Sequence, residues 1–176
     1  MTVRKLTELG EIMQLAFVPQ DFEATIAHWV KKGAGPFHVL RNNKAEWQTC
    51  YGREAYPMLD VALGHWGDMQ IEIIRQTSPE KTVYTDWFND RRAGVHHTCI
   101  VVKDIDEVRA ACAEISAPIV LDARVSGTQW FYADTGGGPG TLLEVIQYGE
   151  QARGLMHMIR EAARDWDGSD PVREIG

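Results

Sequence analysis

The sequence is poor in the features of secreted, membrane-spanning and nucleic-acid-binding proteins. Its three cysteines, Cys50, Cys99 and Cys112, are odd in number and widely spaced, so they form neither a disulfide framework nor a CxxC zinc site. No apolar run approaches the roughly 20 residues of a membrane span, and the N-terminal segment MTVRKLTELGEIMQL lacks the apolar core of a signal peptide. Basic residues are scattered and the net charge is −7, unlike a nucleic-acid-binding surface. We therefore expect a cytoplasmic protein with neither a nucleic-acid nor a membrane partner.

One pattern occurs twice along the chain. The apolar segment QLAFVPQD at residues 14–21 ends in an aspartate that would cap the helix FEATIAHWVKK, and HTCIVVKD at residues 97–104 does the same before IDEVRAACAEIS. Strand-like segments follow each helix, and the two halves end alike, in QIEII at residues 70–74 and LLEVI at residues 142–146. A strand–helix–strands unit that occurs twice predicts a tandem duplication.

The repeat divides the chain into four parts. Residues 1–76 form the first module and residues 95–149 the second, with a polar and partly helical linker at residues 77–94 between them. Residues 150–176 form a tail whose middle, LMHMIREAARDW, has the periodicity of an amphipathic helix. A chain of 176 residues with 44% hydrophobic content can bury a core across both modules.

Polar residues recur at matching positions of the repeat. Because side chains alternate along a strand, one face is expected to carry Gln14, Glu72, His97 and Glu144, with the small Ala16 and Cys99 beside them. A single glutamate inside an apolar strand would most simply make a salt bridge or face water, since burying it alone is costly. Four polar residues at repeat-related positions instead favour a shared metal ion.

These residues resemble the vicinal oxygen chelate superfamily, which includes glyoxalase I, methylmalonyl-CoA epimerase, extradiol dioxygenases and bleomycin-resistance proteins. The resemblance covers roughly residues 12–148 and is carried by the duplicated strand–Asp–helix motif, the segment GVHHTCIVVKD and the two glutamate-bearing strands. It implies an α+β fold in which tandem βαβββ modules form a cupped mixed sheet around a metal site. It also implies a homodimer, as many relatives are, since sheet edges can be covered by a partner.

The ligand types distinguish the branches of that superfamily. A Gln/Glu/His/Glu set is similar to the pattern of glyoxalase I, and methylmalonyl-CoA epimerase is close to it. Extradiol dioxygenases use two histidines and one glutamate on iron, whereas this sequence has Gln14 at the first position. Antibiotic-binding members commonly lack the metal set. One nitrogen and three oxygen ligands suit a borderline or hard divalent ion, so zinc, nickel, cobalt and manganese all remain open.

Such a site is suited to proton transfer beside a carbonyl group. A divalent ion polarises the carbonyl, and a nearby carboxylate removes the proton from the adjacent carbon. We expect a metal-dependent isomerase, epimerase or lyase, with Glu144 as the base because the last-strand glutamate has that role in the resembling enzymes. Glu72 is the alternative base. An extradiol-type dioxygenase and a non-catalytic binding protein of the bleomycin-resistance type are the competing hypotheses.

The substrate is expected to be a small hydrophobic carbonyl compound. No cluster of basic residues would bind the carboxylates of glutathione or the phosphates of coenzyme A. The candidate substrate-binding residues are the apolar and aromatic Phe37, Val39, Trp47, Leu63, Trp87, Trp130 and Tyr132, and for each one taken alone ordinary core packing is the simpler interpretation.

Overall fold

The computed structural model describes residues 5–175. Residues 1–4 of the predicted first module and residue 176 of the predicted tail therefore lie outside the described residues. The strands are β1 (Ile12–Phe17), β2 (Phe37–Asn43), β3 (Trp47–Cys50), β4 (Arg53–Glu54), β5 (Leu59–Trp66), β6 (Met69–Gln76), β7 (His97–Val101), β8 (Ile119–Val125), β9 (Thr128–Asp134), β10 (Leu142–Gln147) and β11 (Val172–Ile175). The helices are α1 (Phe22–Lys31), α2 (Val83–Asn89), α3 (Ile105–Glu114) and α4 (Glu150–Ala163), and a 3-10 turn spans Leu6–Glu8.

The two predicted aspartate caps start their helices. The Asp21 carboxylate accepts a 2.9 Å hydrogen bond from the backbone N–H of Ala24, and Asp104 accepts from the N–H groups of Asp106 and Glu107. Each bond satisfies a backbone donor that has no partner inside the helix. Gly33 follows α1 with a φ of +88°, the left-handed conformation in which helices commonly end. Local sequence thus fixes where both of these helices begin.

All of the strands belong to one large curved sheet. Its order is β11-β2-β5-β6-β1-β7-β10-β9-β8-β3-β4, so the two halves of the chain meet where β1 pairs with β7. The hairpin of β3 and β4 does not pair with β2, its neighbour in the chain, but with β8 at the far side of the second half. The chain therefore ties the two halves together at two places.

The two faces of the sheet are covered by different helices. On one face, α1 packs through Phe22 and Ile26 on Ile71 and Ile73 of β6, and α3 packs on the corresponding strands of the second half. On the other face, Tyr84 of α2 contacts the sheet, and α4 buries Ile159 completely. The predicted α+β fold with a curved mixed sheet is confirmed.

The linker and the tail both contain a helix, and each adds a feature that the sequence did not indicate. The linker, predicted to be polar and partly helical, contains α2, which buries Val83, Tyr84 and Trp87. The tail helix begins at Glu150, and the tail then adds β11 to the edge of the sheet beside β2. Among the described residues, no helix is long and apolar enough to cross a membrane. The division into modules at residues 76 and 95 stays an interpretation of the repeat.

Candidate metal centre

The register of the central strands sets which side chains can meet. Ala16 of β1 lies opposite both Glu72 of β6 and His97 of β7. In the matching position of the repeat, Cys99 of β7 lies opposite both Gln14 of β1 and Glu144 of β10. Ala16 and Cys99 are small and fully buried, which leaves room above them for the longer side chains of their neighbours.

Three of the four predicted ligands converge above these small residues. Ligand atoms of Glu72, His97 and Glu144 all lie within 4.8 Å of one another. Nε2 of His97 is 3.3 Å from Oε2 of Glu72 and 3.4 Å from Oε2 of Glu144. Two carboxylates and one imidazole at this spacing form a group that can hold a divalent ion.

Gln14, the fourth predicted ligand, lies on the same face of β1, two residues before Ala16. Its side chain is buried, and its Nε2 donates a 2.7 Å hydrogen bond to Oε1 of Gln70. Oε1 of Gln14 has no hydrogen-bond partner among the described residues. The atom that a metal ion would use is therefore available.

Unsatisfied buried atoms provide a test of whether a metal ion fits. Within the described part of the chain, Oε1 of Gln14 is buried without a hydrogen-bond partner, and the buried Oε2 of Glu72 and Nε2 of His97 have only ion-pair contacts within the group itself, at 3.3 and 3.4 Å. Such atoms are rare in folded proteins because each loses its interactions with water. All three are electron-pair donors at repeat-related positions. A divalent ion between Glu72, His97 and Glu144 would satisfy the last two of these atoms, so the residues present fit a metal centre.

The charged groups of this site lie close enough to shift the pKa values of one another. Burial disfavours the charged form of His97, but the adjacent carboxylates of Glu144 and Glu72 outweigh this effect and raise its pKa to about 9. Burial raises the pKa of Glu72, and the charge of Glu144 acts in the same direction, while His97 opposes both. The raised pKa of His97 favours an imidazolium that lies between Glu72 and Glu144.

His96, the neighbour of His97, is equally buried but has a different environment. Its Nδ1 lies 2.9 Å from Nδ1 of His97, and its Nε2 lies 3.3 Å from the carbonyl oxygen of Val83 in α2. Burial lowers the pKa of His96 to about 3, and the charge of His97 adds to the effect, so the ring is neutral. The sequence pattern correctly placed His97 rather than His96 on the face of the two glutamates.

A cavity of about 250 Å³ opens beside the three converging residues. Glu72 and Glu144 form part of its wall, and the rest is largely apolar and aromatic. Of the residues proposed to bind substrate, Trp130, Tyr132 and Leu63 line it. The ring of Tyr132 also packs on His97, with a centroid distance of 4.5 Å. The cavity therefore leads directly to the candidate ligands.

The other proposed substrate-binding residues lie elsewhere. Phe37 and Val39 are fully buried in the cluster that packs against α1, on the opposite face of the sheet. The ring of Trp47 packs under the guanidinium of Arg124 and is not part of the cavity wall. Trp87 packs against His96 and lines a separate cleft with a larger volume of about 630 Å³. None of these four residues enters the function proposed below.

Sequence reasoning missed several residues of the cavity wall. Tyr84 comes from the linker, and its hydroxyl lies 2.9 Å from that of Tyr132. Ala152 and Met156 come from α4, so the tail covers part of the cavity. Two signals in the sequence predict the helices that carry these residues, although not their position over the cavity: Thr82, which caps α2 one residue before it begins, and the four-residue spacing that puts Ala152 and Met156 on one side of a helix.

Comparisons with known proteins agree with this architecture. Solved structures that resemble the chain include a hypothetical protein from Bacillus halodurans, with 17% identity, a TM-score of 0.56, and coverage of 81% of this chain and 96% of that one. A methylmalonyl-CoA epimerase from Streptomyces coelicolor, in complex with 2-nitronate-propionyl-CoA, has 16% identity, a TM-score of 0.56 and the same coverage. The methylmalonyl-CoA epimerase of Mycobacterium tuberculosis has 14% identity, a TM-score of 0.57, and coverage of 88% and 97%. At these identities the likeness shows a shared fold.

A comparison with curated protein sequences found no significant match. A sequence profile described as the glyoxalase/bleomycin resistance protein/dioxygenase superfamily, in contrast, matches residues 13–133. The matched segment contains most of both halves of the sheet, including Gln14, Glu72 and His97, and ends before Glu144. The chain belongs to the glyoxalase/bleomycin resistance protein/dioxygenase superfamily.

Proposed function

We propose that the protein is a metal-dependent isomerase, epimerase or lyase that transfers a proton at the carbon next to the carbonyl group of a small, hydrophobic substrate. The observation that carries this proposal is the convergence of Glu72, His97 and Glu144 within 4.8 Å at the wall of an apolar cavity. Membership of the superfamily and the epimerase fold of its structural neighbours support an enzyme of this general kind.

Gln14, Glu72, His97 and Glu144 would together hold one divalent ion. The donor set of one nitrogen and three oxygens suits zinc, nickel, cobalt or manganese. When bound, such an ion supplies Lewis acidity, which makes the proton on the carbon beside a carbonyl group easier to remove. The unpartnered Oε1 of Gln14 supports its inclusion with the three converging residues.

The two glutamates are the bases that the cavity offers. Burial raises the pKa of the three tyrosines in the wall, Tyr84, Tyr132 and Tyr148, so these hydroxyls stay protonated and cannot accept the proton. The carboxylates of Glu72 and Glu144 reach the cavity from β6 and β10, on opposite sides of the central strand pair. We assign the base to Glu144, and in this proposal Glu72 is the alternative base, acting from the other side of a planar intermediate.

The wall of the cavity indicates the class of substrate. Its side chains are mainly aliphatic and aromatic, among them Leu59, Val61, Trp130 and Ile146, and they would exclude water from the reacting carbon. Lys44 is the one cationic side chain among the lining residues that the structure describes. A single lysine does not match the several negative charges of coenzyme A or glutathione. A carbonyl compound with an aliphatic or aromatic substituent fits better.

Metal analysis and hydrogen exchange test this proposal together. Purified protein should contain close to one divalent ion per chain, located in density between Glu72, His97 and Glu144. In deuterated water, the loaded protein should exchange the proton beside the carbonyl in hydroxy-ketones or β-dicarbonyls that carry apolar substituents, and a chelator should stop this exchange. Oxygen consumption with catechols on iron would favour a dioxygenase instead. Binding of such compounds without turnover, and without metal, would favour a non-catalytic binding protein.

The homodimer and the cytoplasmic location stay predictions from the sequence and the superfamily resemblance. Within residues 5–175, β11 forms one edge of the sheet, and such an edge is a surface that a second copy would cover in a dimer.

A further inference from the structure

The contact between His96 and His97 joins two buried rings that are neighbours in the chain. The backbone N–H of His96 donates a 2.7 Å hydrogen bond to the carbonyl oxygen of Ala16, just before β7 begins at His97. The two Nδ1 atoms are 2.9 Å apart, and the exposed fractions of the residues are 1% and 0%. Two ring nitrogens this close to each other share one hydrogen, with one ring donating and the other accepting.

The environment of each ring decides which one donates. Nε2 of His97 points at the carboxylates of Glu72 and Glu144, and a ring that binds a metal ion through Nε2 must carry its hydrogen on Nδ1. His97 is then the donor and Nδ1 of His96 the acceptor. The hydrogen of His96 consequently lies on Nε2, which faces the carbonyl oxygen of Val83 at 3.3 Å. A carbonyl oxygen can only accept a hydrogen bond. In this series of hydrogen bonds His97 therefore donates to His96, and His96 donates to Val83.

Packing holds the ring of His96 in this orientation. Tyr84 stacks on it at a centroid distance of 5.6 Å and an interplanar angle of 28°. Trp87 meets it edge-on at 5.1 Å. Val83, Tyr84 and Trp87 all belong to α2, so this one helix supplies both the hydrogen-bond acceptor and the walls around the ring.

We propose that His96 is a positioning residue for the metal centre: it accepts the Nδ1 hydrogen of His97 and thereby keeps the lone pair of Nε2 directed at the ion. This inference rests on the proposed metal site, and it gives α2 a function within that site. A purely structural His96 would need only to fill the space between α2 and the sheet, which an aromatic ring without nitrogen would do as well.

Two substitutions separate these roles. His96→Phe keeps a buried ring but removes the acceptor, whereas His96→Asn places a carbonyl oxygen close to the position of Nδ1 but leaves unfilled space. If His96 only fills space, the phenylalanine variant should bind metal more tightly and unfold at a higher temperature than the asparagine variant. If it positions His97, the phenylalanine variant binds Co²⁺ or Zn²⁺ about 10- to 100-fold more weakly than the unaltered protein, as expected when a partner of a ligating histidine is lost. The asparagine variant should then recover part of that affinity despite a lower stability.

The affinities would be measured by chelator competition with Co²⁺ and Zn²⁺, and the stabilities by thermal unfolding without metal. The visible absorption bands of bound Co²⁺ should change in the phenylalanine variant, because they report the geometry of the ligands. Trp29→Phe is the control, since Trp29 of α1 packs on Phe17 and Trp66 on the opposite face of the sheet from His96, and it should leave affinity and spectrum unchanged. If His96→Phe does not fold, His96→Leu takes its place as the variant without an acceptor.

The outcomes distinguish this inference from the proposed function. If the unaltered protein binds neither metal, the metal site itself is wrong and the role of His96 fails with it. If the unaltered protein binds metal and the phenylalanine variant binds it equally well with the same spectrum, the metal site stands and the positioning role of His96 is overturned.

Discussion

Gln14 and Gln70 are register partners on β1 and β6, and their buried side chains are joined by a 2.7 Å hydrogen bond from Nε2 of Gln14 to Oε1 of Gln70. Nε2 of Gln70 in turn lies 3.6 Å from Sδ of Met156 in α4. Because the amide nitrogen of Gln14 donates to Gln70, the amide oxygen of Gln14 is the atom without a hydrogen-bond partner among the described residues. Gln70 thus links the candidate ligand Gln14 to Met156 of the tail helix α4.

Gln70→Leu is therefore expected to weaken metal binding although Gln70 is not a proposed ligand. Without the acceptor, the amide of Gln14 can turn its nitrogen toward the centre, and loss of such a partner typically lowers metal affinity about 10- to 100-fold. Chelator competition would measure the loss. A double-mutant cycle with Gln14→Ala is the control: the second substitution should add little to the first, whereas fully additive losses would mean that Gln70 acts through another residue.

Glu144→Gln and Glu72→Gln are expected to separate ligation from proton transfer. In each variant the amide oxygen of the new glutamine can still bind a metal ion, but the basic carboxylate is lost. Loss of a general base typically lowers the rate about 10²–10⁴-fold. Glu144→Gln should therefore keep much of its metal and lose most of the solvent-deuterium exchange at the carbon beside the carbonyl. Undiminished exchange in the metal-loaded variant would rule Glu144 out, and loss confined to Glu72→Gln would reverse the two roles.

Metal binding and stability should depend on pH through His97. In the ion-free protein its pKa is raised from the ordinary 6.5 to about 9, so the imidazolium stabilises the fold below 6.5 and this contribution is lost as the pH rises through about 9. A metal ion requires the neutral ring, so binding displaces a proton and affinity should rise by up to about tenfold per pH unit until that pKa is reached. Calorimetry in buffers of different ionisation enthalpy would count the released protons. Release of no protons at neutral pH would contradict the raised pKa of His97.

Asp60 is the buried centre of an ion-pair network that joins β2, β5 and β6. Its carboxylate accepts hydrogen bonds from Arg41 at 3.0 Å, Arg75 at 2.7 Å and the backbone N–H of Asn42 at 3.1 Å. Burial alone would raise the pKa of Asp60, but these donors outweigh it and hold the pKa below the ordinary 3.8. Hydrogen bonds to charged groups contribute roughly 1.5–3 kcal/mol, so Asp60→Asn should lower the free energy of unfolding by about that amount at neutral pH.

The stabilisation from Asp60 has a defined pH range. Because its folded pKa is depressed, the contribution is present above the ordinary 3.8 and is lost as the pH falls through the folded value. Urea unfolding should therefore show the difference between Asp60→Asn and the unaltered protein shrinking in acid. Glu174→Gln is the matched control, since Glu174 binds the same Arg41 from an exposed position and such pairs contribute about 0–1 kcal/mol. An equal effect of both substitutions would contradict the central role of Asp60.

Local sequence determined the elements that depend on neighbouring residues. The two aspartate caps, the helices that follow them and the strand periodicity are visible in any short window of the chain. Comparison of the two repeats then predicted that Glu72, His97 and Glu144 share one face of the sheet. The structure brings these three residues together. This inference was possible because side-chain alternation follows from strand geometry alone.

Tertiary structure decided the features that depend on residues far apart in the chain. The segment FHVL of β2 carries apolar side chains on both faces, so alternation could not show that Phe37 and Val39 turn toward α1 rather than the cavity. Likewise, no local pattern shows that Tyr84 of the linker and Met156 of the tail cover the cavity, or that Gln70 pairs with Gln14. These outcomes are set by the pairing and packing of distant segments. A sequence pattern shows which faces of a strand or helix are apolar and must be covered. Which segment covers each face depends on how distant parts of the chain pack, and this packing is not encoded in any short window.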